Sequence, residues 1–176
     1  MTDLEKIEKW FAVPVENLYK LQNSGDGAFV ALAVGFMLFE RYYRIDSESQ
    51  DEGRVTKALE VASIDLDINL KFLERFWNVY RHGLLHQGTP KNFKLKDGRE
   101  FRWRIDSKYS ELPSQFEKDG VHYICLDPWK FTKMVLKKYR ENPEKIEGVF
   151  GYKMGEILEE ELQPALQQFL YADHYN

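Results

Sequence analysis

The stretch "FWNVYRHGLLHQGTP", Phe76–Pro90, separates two parts of the chain with different sequence periodicity. Up to His86, apolar residues recur at the three-to-four-residue spacing of an amphipathic helix. The helix is expected to stop at Gly88-Thr89-Pro90, because glycine and proline are typical of helix ends. Beyond this point apolar and basic residues alternate, as in β-strands. The boundary therefore predicts helices before it and a small β region after it.

The part before the boundary is predicted to be almost entirely helical. Helical segments are expected over 4–12, 15–21, 28–45, 54–62 and 68–86. Helices joined by such short loops pack antiparallel, which predicts an up-and-down bundle. The longest apolar run, Gly27–Phe39, has 13 residues. A run of this length is too short to cross a bilayer, so we expect a buried core helix and no membrane association.

The part after the boundary contains the predicted strands and a further helical region. Asp97-Gly98 lies between two alternating runs within 92–105, which indicates a β-hairpin. A third strand is expected over 121–126, after an irregular segment over 106–120. Asp127 and Pro128 are suited to the N-cap and first position of the next helix. A final helix is predicted over 155–163.

These elements predict a mainly α protein: an up-and-down helical bundle with a small β-hairpin or three-stranded insertion. We expect a single domain over 1–176. Within it, residues 1–90 would form the helical core, 91–126 the β insertion and 127–176 the C-terminal helices.

Composition and charge exclude several classes of protein. The net charge of −4 argues against a protein that coats nucleic acid through bulk charge, although local basic patches remain compatible with it. The one cysteine, Cys125, forms no internal disulfide, which favours a reducing compartment. The first residues lack the apolar run of a signal peptide. We therefore expect a cytoplasmic protein.

The helix over 68–86 carries a polar stripe that is the main candidate for a functional site. On a helical wheel, six polar residues fall within a sector of roughly 140°. They are Glu74, Arg75, Asn78, Arg81, His82 and His86. Most of the apolar residues lie on the opposite side. The stripe is expected to face either solvent or a partner.

Arginine and histidine together suit the cleavage of RNA. Histidine exchanges protons near neutral pH, and arginine presents a fork of donors to phosphate oxygens. RNA supplies its own nucleophile, the 2′-hydroxyl, so neither a metal nor another cofactor is expected. One histidine does not easily serve as both base and acid. Either His82 takes the second role, or a second copy of the chain supplies it across a two-fold axis.

Two simpler explanations of the stripe remain open. Histidine and arginine are favoured near helix C-termini by the macrodipole, without any function. Alternatively, His82 and His86, one turn apart, could bind zinc, which would require further ligands such as His122 or Cys125.

The segment "YRHGLLHQ" resembles the signature of HEPN-superfamily domains, which is Arg, a polar residue, three further residues and then His near the end of a long helix. Arg81, His82 and His86 match this pattern position by position, and "LFERYYR" in the preceding long helix resembles the family less specifically. The resemblance covers about residues 25–90. It implies a helical bundle, a homodimer and a metal-independent endoribonuclease, with Arg81 and His86 of each protomer in a composite cleft.

The resemblance also implies a biological setting and an alternative function. Many members are toxins or phage-defence proteins, so RNA, a second copy and an antitoxin protein are the expected partners. Gly88 stands where some members have a tyrosine that an antitoxin modifies, which argues against that regulation here. The alternative is a catalytically silent module that binds RNA, a nucleotide or a protein, or a structural dimerisation domain in which the stripe seals an interface.

Further residues are candidates to support such a site. Glu40 could orient Arg81 or His86, and Asn78 lies on the same helix face; alternatively, Glu40 belongs to a helix end that emerges into water. In the predicted hairpin, four basic residues alternate with apolar ones: Lys94, Lys96, Arg102 and Arg104. Residues 91–104 carry a net charge of +4, from six basic and two acidic side chains. This face is expected either to contact RNA phosphates or to be a solvated strand face.

Overall fold

The computed structural model describes residues 1–20, 27–46 and 55–145, without the side chains at positions 45, 46, 85 and 86. The helix predicted over 155–163 therefore lies outside the described residues. The helical segments, in chain order, are α1 (Asp3–Ile7), a π-helical segment (Glu8–Ala12), α2 (Val13–Tyr19), α3 (Ala28–Asp46), α4 (Val55–Asp65), α5 (Leu70–Gln87), α6 (Pro128–Glu141) and a 3-10 turn (Pro143–Lys145).

Local signals in the sequence account for the ends of the two helices that flank the sheet. α5 ends at Gly88, whose φ of +73° is the left-handed conformation that glycine adopts without strain. α6 begins at Asp127, whose Oδ1 accepts hydrogen bonds from the amides of Trp129 (2.9 Å) and Lys130 (3.1 Å), with Pro128 at the first helical position. The predicted stop of α5 and the predicted cap of α6 are both confirmed.

A four-stranded sheet lies between α5 and α6 in the sequence. Its strands are β1 (Phe93–Lys94), β2 (Glu100–Ile105), β3 (Ser114–Lys118) and β4 (Val121–Leu126). The spatial order is β1-β2-β4-β3; the central pair, β2 and β4, is parallel and the two outer pairs are antiparallel. The predicted hairpin at Asp97-Gly98 and the predicted strand over 121–126 are confirmed. The segment 106–120, predicted to be irregular, contains β3.

The two faces of the sheet have different environments. The inner face carries Phe101, Ile124 and Leu126, which are fully buried in the hydrophobic core together with residues of α3, α5 and α6. The outer face carries the alternate residues, among them Arg102 of β2 and its cross-strand neighbour Tyr123 of β4. The helices that surround the core therefore pack on the inner face of the sheet.

α3 lies at the centre of the core and runs parallel to α6. The Thr132 hydroxyl donates to the carbonyl oxygen of Ala31, and the Tyr139 hydroxyl donates to that of Leu38, each at 2.8 Å. Both pairs are separated by 101 residues, so the two helices advance together in one direction. The apolar run predicted to be a buried core helix forms part of α3 and is mostly buried, but Val30 and Met37 are 55% and 45% exposed. None of the described helices combines the length and hydrophobicity needed to cross a bilayer.

The predicted fold class, an up-and-down helical bundle, is wrong. The protein is a mixed α/β structure with a four-stranded mixed sheet. The prediction assumed that each helix packs antiparallel on its neighbour in the sequence. However, the sheet carries the chain across the molecule between α5 and α6, so α6 packs on α3 in parallel. The sheet also contributes Phe101 and Ile124 to the core, which makes it a layer of the fold.

The N-terminal segment is joined to α6 by an ion pair that predicts a pH dependence of stability. Arg140 Nη2 donates to Glu8 Oε2 at 2.8 Å, and this hydrogen bond is the main cause that lowers the pKa of Glu8. A lowered folded-state pKa contributes stability above the unfolded-state pKa, and this contribution is lost as the pH falls through the folded-state value. Both side chains are partly exposed, so we expect only about 0.5 kcal/mol.

Replacing Glu8 by glutamine tests this contribution. At pH 7 the Glu8→Gln variant is expected to have a free energy of unfolding about 0.5 kcal/mol below that of the wild type. The difference should shrink towards zero at a pH below the lowered folded-state pKa of Glu8, where the wild-type carboxyl group is protonated as well. Urea unfolding followed by circular dichroism at both pH values measures it. A difference that stays constant with pH would show that the carboxylate charge is not the cause.

Candidate functional site

The polar stripe of α5 meets the polar end of α3 through an ion pair. Arg81 Nε lies 3.2 Å from Glu40 Oε2, and the other carboxylate oxygen, Oε1, lies 2.6 Å from Arg44 Nη2. One carboxylate thus sits between two guanidinium groups, which leaves this cluster with a net charge of +1. The contact between Glu40 and Arg81 has the geometry that the sequence suggested for an orienting carboxylate.

Arg81 is held on several sides yet keeps part of its surface accessible. Its guanidinium carbon lies 5.6 Å from the centre of the Trp77 ring, one turn earlier on α5. The side chain is 22% exposed, against 13% for that of Glu40. A cation fixed by a carboxylate and an aromatic ring loses little side-chain entropy when it binds an anion.

The residue next to Arg81 anchors this part of α5 on the sheet. The Tyr80 hydroxyl lies 3.0 Å from the carbonyl oxygen of Arg104 on β2 and 2.9 Å from that of Ile124 on β4. Burial raises the pKa of Tyr80 far above its usual value, so the hydroxyl remains a donor at every physiological pH. These contacts fix α5, and with it Arg81, relative to both parallel strands.

For the other predicted residues of the stripe, the side chains of His82 and Asn78 are described, but only the backbone of His86 is. His82 and Asn78 are exposed, on the same helix as Arg81. The backbone of His86 belongs to the last turns of α5, but its side chain is outside what the structure describes. The apolar side of the helix is buried as predicted, with Leu73, Phe76, Val79 and Tyr80 fully inaccessible.

Gly83, inside the Arg–His motif, allows the chain to fold back against α5. The Lys91 amide donates to the carbonyl oxygen of Val79 at 2.8 Å, so residues 89–91 cross the helix near Gly83. A Cβ atom at position 83 would lie 2.5 Å from the Lys91 nitrogen and 2.6 Å from the Pro90 carbonyl carbon. This close backbone crossing fixes the end of α5 that carries the Arg–His motif.

The basic residues of the predicted hairpin are not brought to the Arg81 cluster. Lys94, Arg102 and Arg104 lie on the outer face of the sheet, and α5 packs on the inner face. Lys96 is exposed in the turn that joins β1 and β2. Arg81 and the predicted phosphate contacts of the strands, Lys94, Arg102 and Arg104, therefore lie on different sides of the sheet.

The two candidates for additional zinc ligands cannot act together. His122 and Cys125 are three residues apart on β4, so their side chains project from opposite faces of the sheet. His122 Nδ1 lies 3.2 Å from Gln115 Nε2 and 3.6 Å from Glu117 Oε2. Cys125 is buried, and this burial raises the pKa of its thiol. Among the described side chains, no three potential metal ligands of the His, Cys, Asp and Glu types cluster together.

A cleft of about 470 Å³ lies away from the Arg81 cluster, where the two parallel strands end and α6 begins. Its walls include Asp106, Asp127 and Trp129. Lys130 spans part of it, since its Nζ donates to the carbonyl oxygens of Ser107 (2.7 Å) and Tyr109 (2.8 Å). Neither Arg81 nor Glu40 lines this cleft.

The predictions from the sequence did not include one pair of aromatic residues on the outer face of the sheet. Phe116 of β3 and Tyr123 of β4 are cross-strand neighbours on the outer face, and their rings stack at 5.0 Å with an angle of 13° between their planes. The signal that could have found them is Asp119-Gly120, a second Asp-Gly pair between the two strands. Both residues have positive φ, 53° and 74°, as a two-residue hairpin turn requires.

Comparisons with protein-family models, with curated proteins and with solved structures found no match to this chain.

Proposed function

We propose that the protein is a metal-independent endoribonuclease, similar in mechanism to HEPN-superfamily enzymes, that cleaves RNA to leave a 2′,3′-cyclic phosphate. The observation that carries this proposal is the ion pair between Arg81 and Glu40, which presents a fixed and partly accessible guanidinium on the helix whose sequence also contains His82 and His86. In many enzymes, hydrogen-bond donors that are held in place and directed at the charge of the transition state make the largest contribution to the rate enhancement.

The roles follow from the chemistry of the three side chains. A histidine accepts the proton of the 2′-hydroxyl as the 2′-oxygen bonds to phosphorus, and a protonated histidine donates a proton to the departing 5′-oxygen. Arg81 stabilises the additional negative charge on the phosphorane. His86 is assigned the first or the second proton transfer. The remaining transfer belongs to His82 or to the His86 of a second copy in a homodimer.

A cleavage assay in the presence of a chelator tests this mechanism. The wild-type protein is expected to cleave single-stranded RNA in EDTA and to leave DNA of the same sequence intact, because DNA lacks the 2′-hydroxyl. His86→Ala and Arg81→Ala should each reduce the cleavage rate about 100-fold. Lys137→Ala, at a 71% exposed position of α6, is the matched control and should cleave at the wild-type rate.

Two results would overturn the mechanism. One is the loss of all wild-type cleavage when EDTA is added. The other is cleavage by His86→Ala at the rate of the control. Identifying the terminal phosphate of the product adds an independent readout, since a simple 3′-phosphate formed without a cyclic intermediate would exclude attack by the 2′-hydroxyl.

A second candidate function is a catalytically silent module that binds RNA, a nucleotide or a protein through the same stripe. The observation that favours it is the position of Glu40, whose carboxylate partly neutralises Arg81 and thereby weakens its effect on a phosphorane. This candidate predicts binding without turnover, and binding that weakens when Arg81 is replaced by alanine. For both candidate functions we propose a cytoplasmic location. If the protein is a toxin or a defence protein, we also expect an antitoxin protein as a partner.

A further inference from the structure

The outer face of the sheet carries a regular arrangement of basic and aromatic side chains. Cross-strand pairing places Lys94, Glu100, Val121 and Lys118 in one row. The next row contains Arg102, Tyr123 and Phe116. In the third row Cys125 is fully buried. The first two rows and Arg104 of the third row form a surface in which two aromatic rings lie among cations, and we call it the outer platform.

The two rings of the outer platform are not part of the hydrophobic core. Phe116 and Tyr123 are only half-buried, and neither belongs to the clusters of buried residues in the described part of the chain. Their planes are nearly parallel, at 13°, and their centres are 5.0 Å apart. Because β3 is the edge strand, a planar group extends this stack by packing on the side of the Phe116 ring that is directed away from Tyr123.

The charge around the rings is strongly positive. The outer face contributes four cationic side chains, Lys94, Arg102, Arg104 and Lys118, and one carboxylate, Glu100. Arg102 Nε donates to Glu100 Oε1 at 2.6 Å, so this carboxylate is already engaged. The excess of three positive charges contrasts with the net charge of −4 of the whole chain. The occupant that complements this face is therefore an anion with planar groups.

We propose that the outer platform binds single-stranded nucleic acid. An unpaired base stacks on Phe116 and extends its stack with Tyr123, and the phosphates lie against Lys94, Lys118, Arg102 and Arg104. Stacking on accessible aromatic rings in a basic surface is a common mode by which proteins hold unpaired strands. A duplex fits less well, because its bases already stack on one another. This binding is independent of cleavage at Arg81, which lies on a helix of the opposite face.

Binding of a labelled oligonucleotide that cannot be cleaved tests the proposal separately from the proposed activity. A 2′-O-methyl oligouridine of 12 nucleotides lacks the free 2′-hydroxyl, so fluorescence anisotropy with the full chain reports binding alone. The wild type should bind this strand more tightly than a 12-base-pair RNA duplex. The double variant Phe116→Ser/Tyr123→Ser should bind about 10-fold more weakly, as expected for the loss of one stacked base.

A second variant tests the phosphate contacts without touching the rings. Lys94→Gln/Lys118→Gln changes two exposed side chains, and it should reduce the slope of log affinity against log salt concentration by about 1. Lys137→Gln, equally exposed but on α6, is the matched control and should keep the wild-type slope. Far-UV circular dichroism verifies that all variants retain the wild-type fold.

The outcomes are separable from those of the cleavage assay. If neither the wild type nor any variant cleaves RNA, but the wild type and His86→Ala both bind the oligonucleotide, the proposed nuclease activity is rejected. The proposed binding by the outer platform then still stands. Wild-type protein that does not bind the strand would overturn the proposal and leave a protein segment as the occupant of this face. Equal affinity of the wild type and the aromatic double variant, or tighter binding of the duplex than of the single strand, would also overturn it.

Discussion

Gly83→Ala is expected to lower the free energy of unfolding by about 3 kcal/mol, at the upper end of the usual cost of overpacking. The new Cβ atom would meet the Lys91 nitrogen at 2.5 Å and the Pro90 carbonyl carbon at 2.6 Å, and it would also press on the Thr89 carbonyl oxygen. These are backbone atoms, which a change of side-chain rotamer cannot move away. The clash outweighs the gain of about 1 kcal/mol that alanine brings to a helix interior.

Urea unfolding of Gly83→Ala beside Asn78→Ala measures this effect. Asn78 is exposed on the same helix, so its replacement should change the free energy of unfolding by less than about 0.5 kcal/mol. The crossing of residues 89–91 also fixes the end of α5, so Gly83→Ala should reduce RNA cleavage even under conditions where it remains folded. A Gly83→Ala protein as stable as the control would show that the close crossing does not form.

Gly35→Ala is expected to lower the free energy of unfolding by about 2 kcal/mol. Gly35 lies where α3 and α6 pack in parallel, and an added Cβ atom would approach the Thr132 hydroxyl oxygen to 2.6 Å and the Phe131 ring to 3.1 Å. The hydroxyl cannot turn away without cost, because it donates to Ala31 and lies 2.9 Å from the Pro128 carbonyl oxygen. The glycine therefore sets the close distance between the two helices.

A double-mutant cycle identifies the hydroxyl as the cause. Thr132→Ala alone should cost about 1 kcal/mol through the lost hydrogen bonds. In Gly35→Ala/Thr132→Ala the oxygen that meets the new methyl group is absent, so the double variant should be about 1 kcal/mol more stable than the sum of the single effects predicts. Strict additivity of the two substitutions would mean that Gly35 and Thr132 do not touch.

Features that depend on neighbouring residues were predictable from the sequence. The Asp127-Pro128 cap, the stop of α5 at Gly88 and the turn at Asp97-Gly98 are each decided by a few adjacent side chains. The burial of one side of α5 also follows from its periodicity. At the candidate site, the proximity of Glu40 and Arg81 was suggested only by their chemistry, and the structure brings them to 3.2 Å.

Features that depend on distant pairing were not predictable in the same way. β3 contains one apolar side chain, Phe116, in five residues, because it is an exposed edge strand and needs no alternating apolar pattern. The parallel pairing of β2 with β4 leaves no local signal, since the intervening chain could as easily have formed a simple meander. The amphipathic pattern of α6 shows that it packs on something. It does not show that the partner is α3. The predicted fold class was wrong because the four strands form a mixed sheet that is a layer of the core, which no local pattern indicates.

The hydrogen bonds that join α3 to α6 across 101 residues have a consequence for biosynthesis. Ribosomes add about 5–20 residues per second, so α3 emerges roughly 5–20 s before the helix that covers it. During that interval the side of α3 that packs on α6 is exposed to other nascent chains and to chaperones. Assembly of the native core therefore waits until α6 has emerged, and the delay is set by the order in which the gene encodes the two helices.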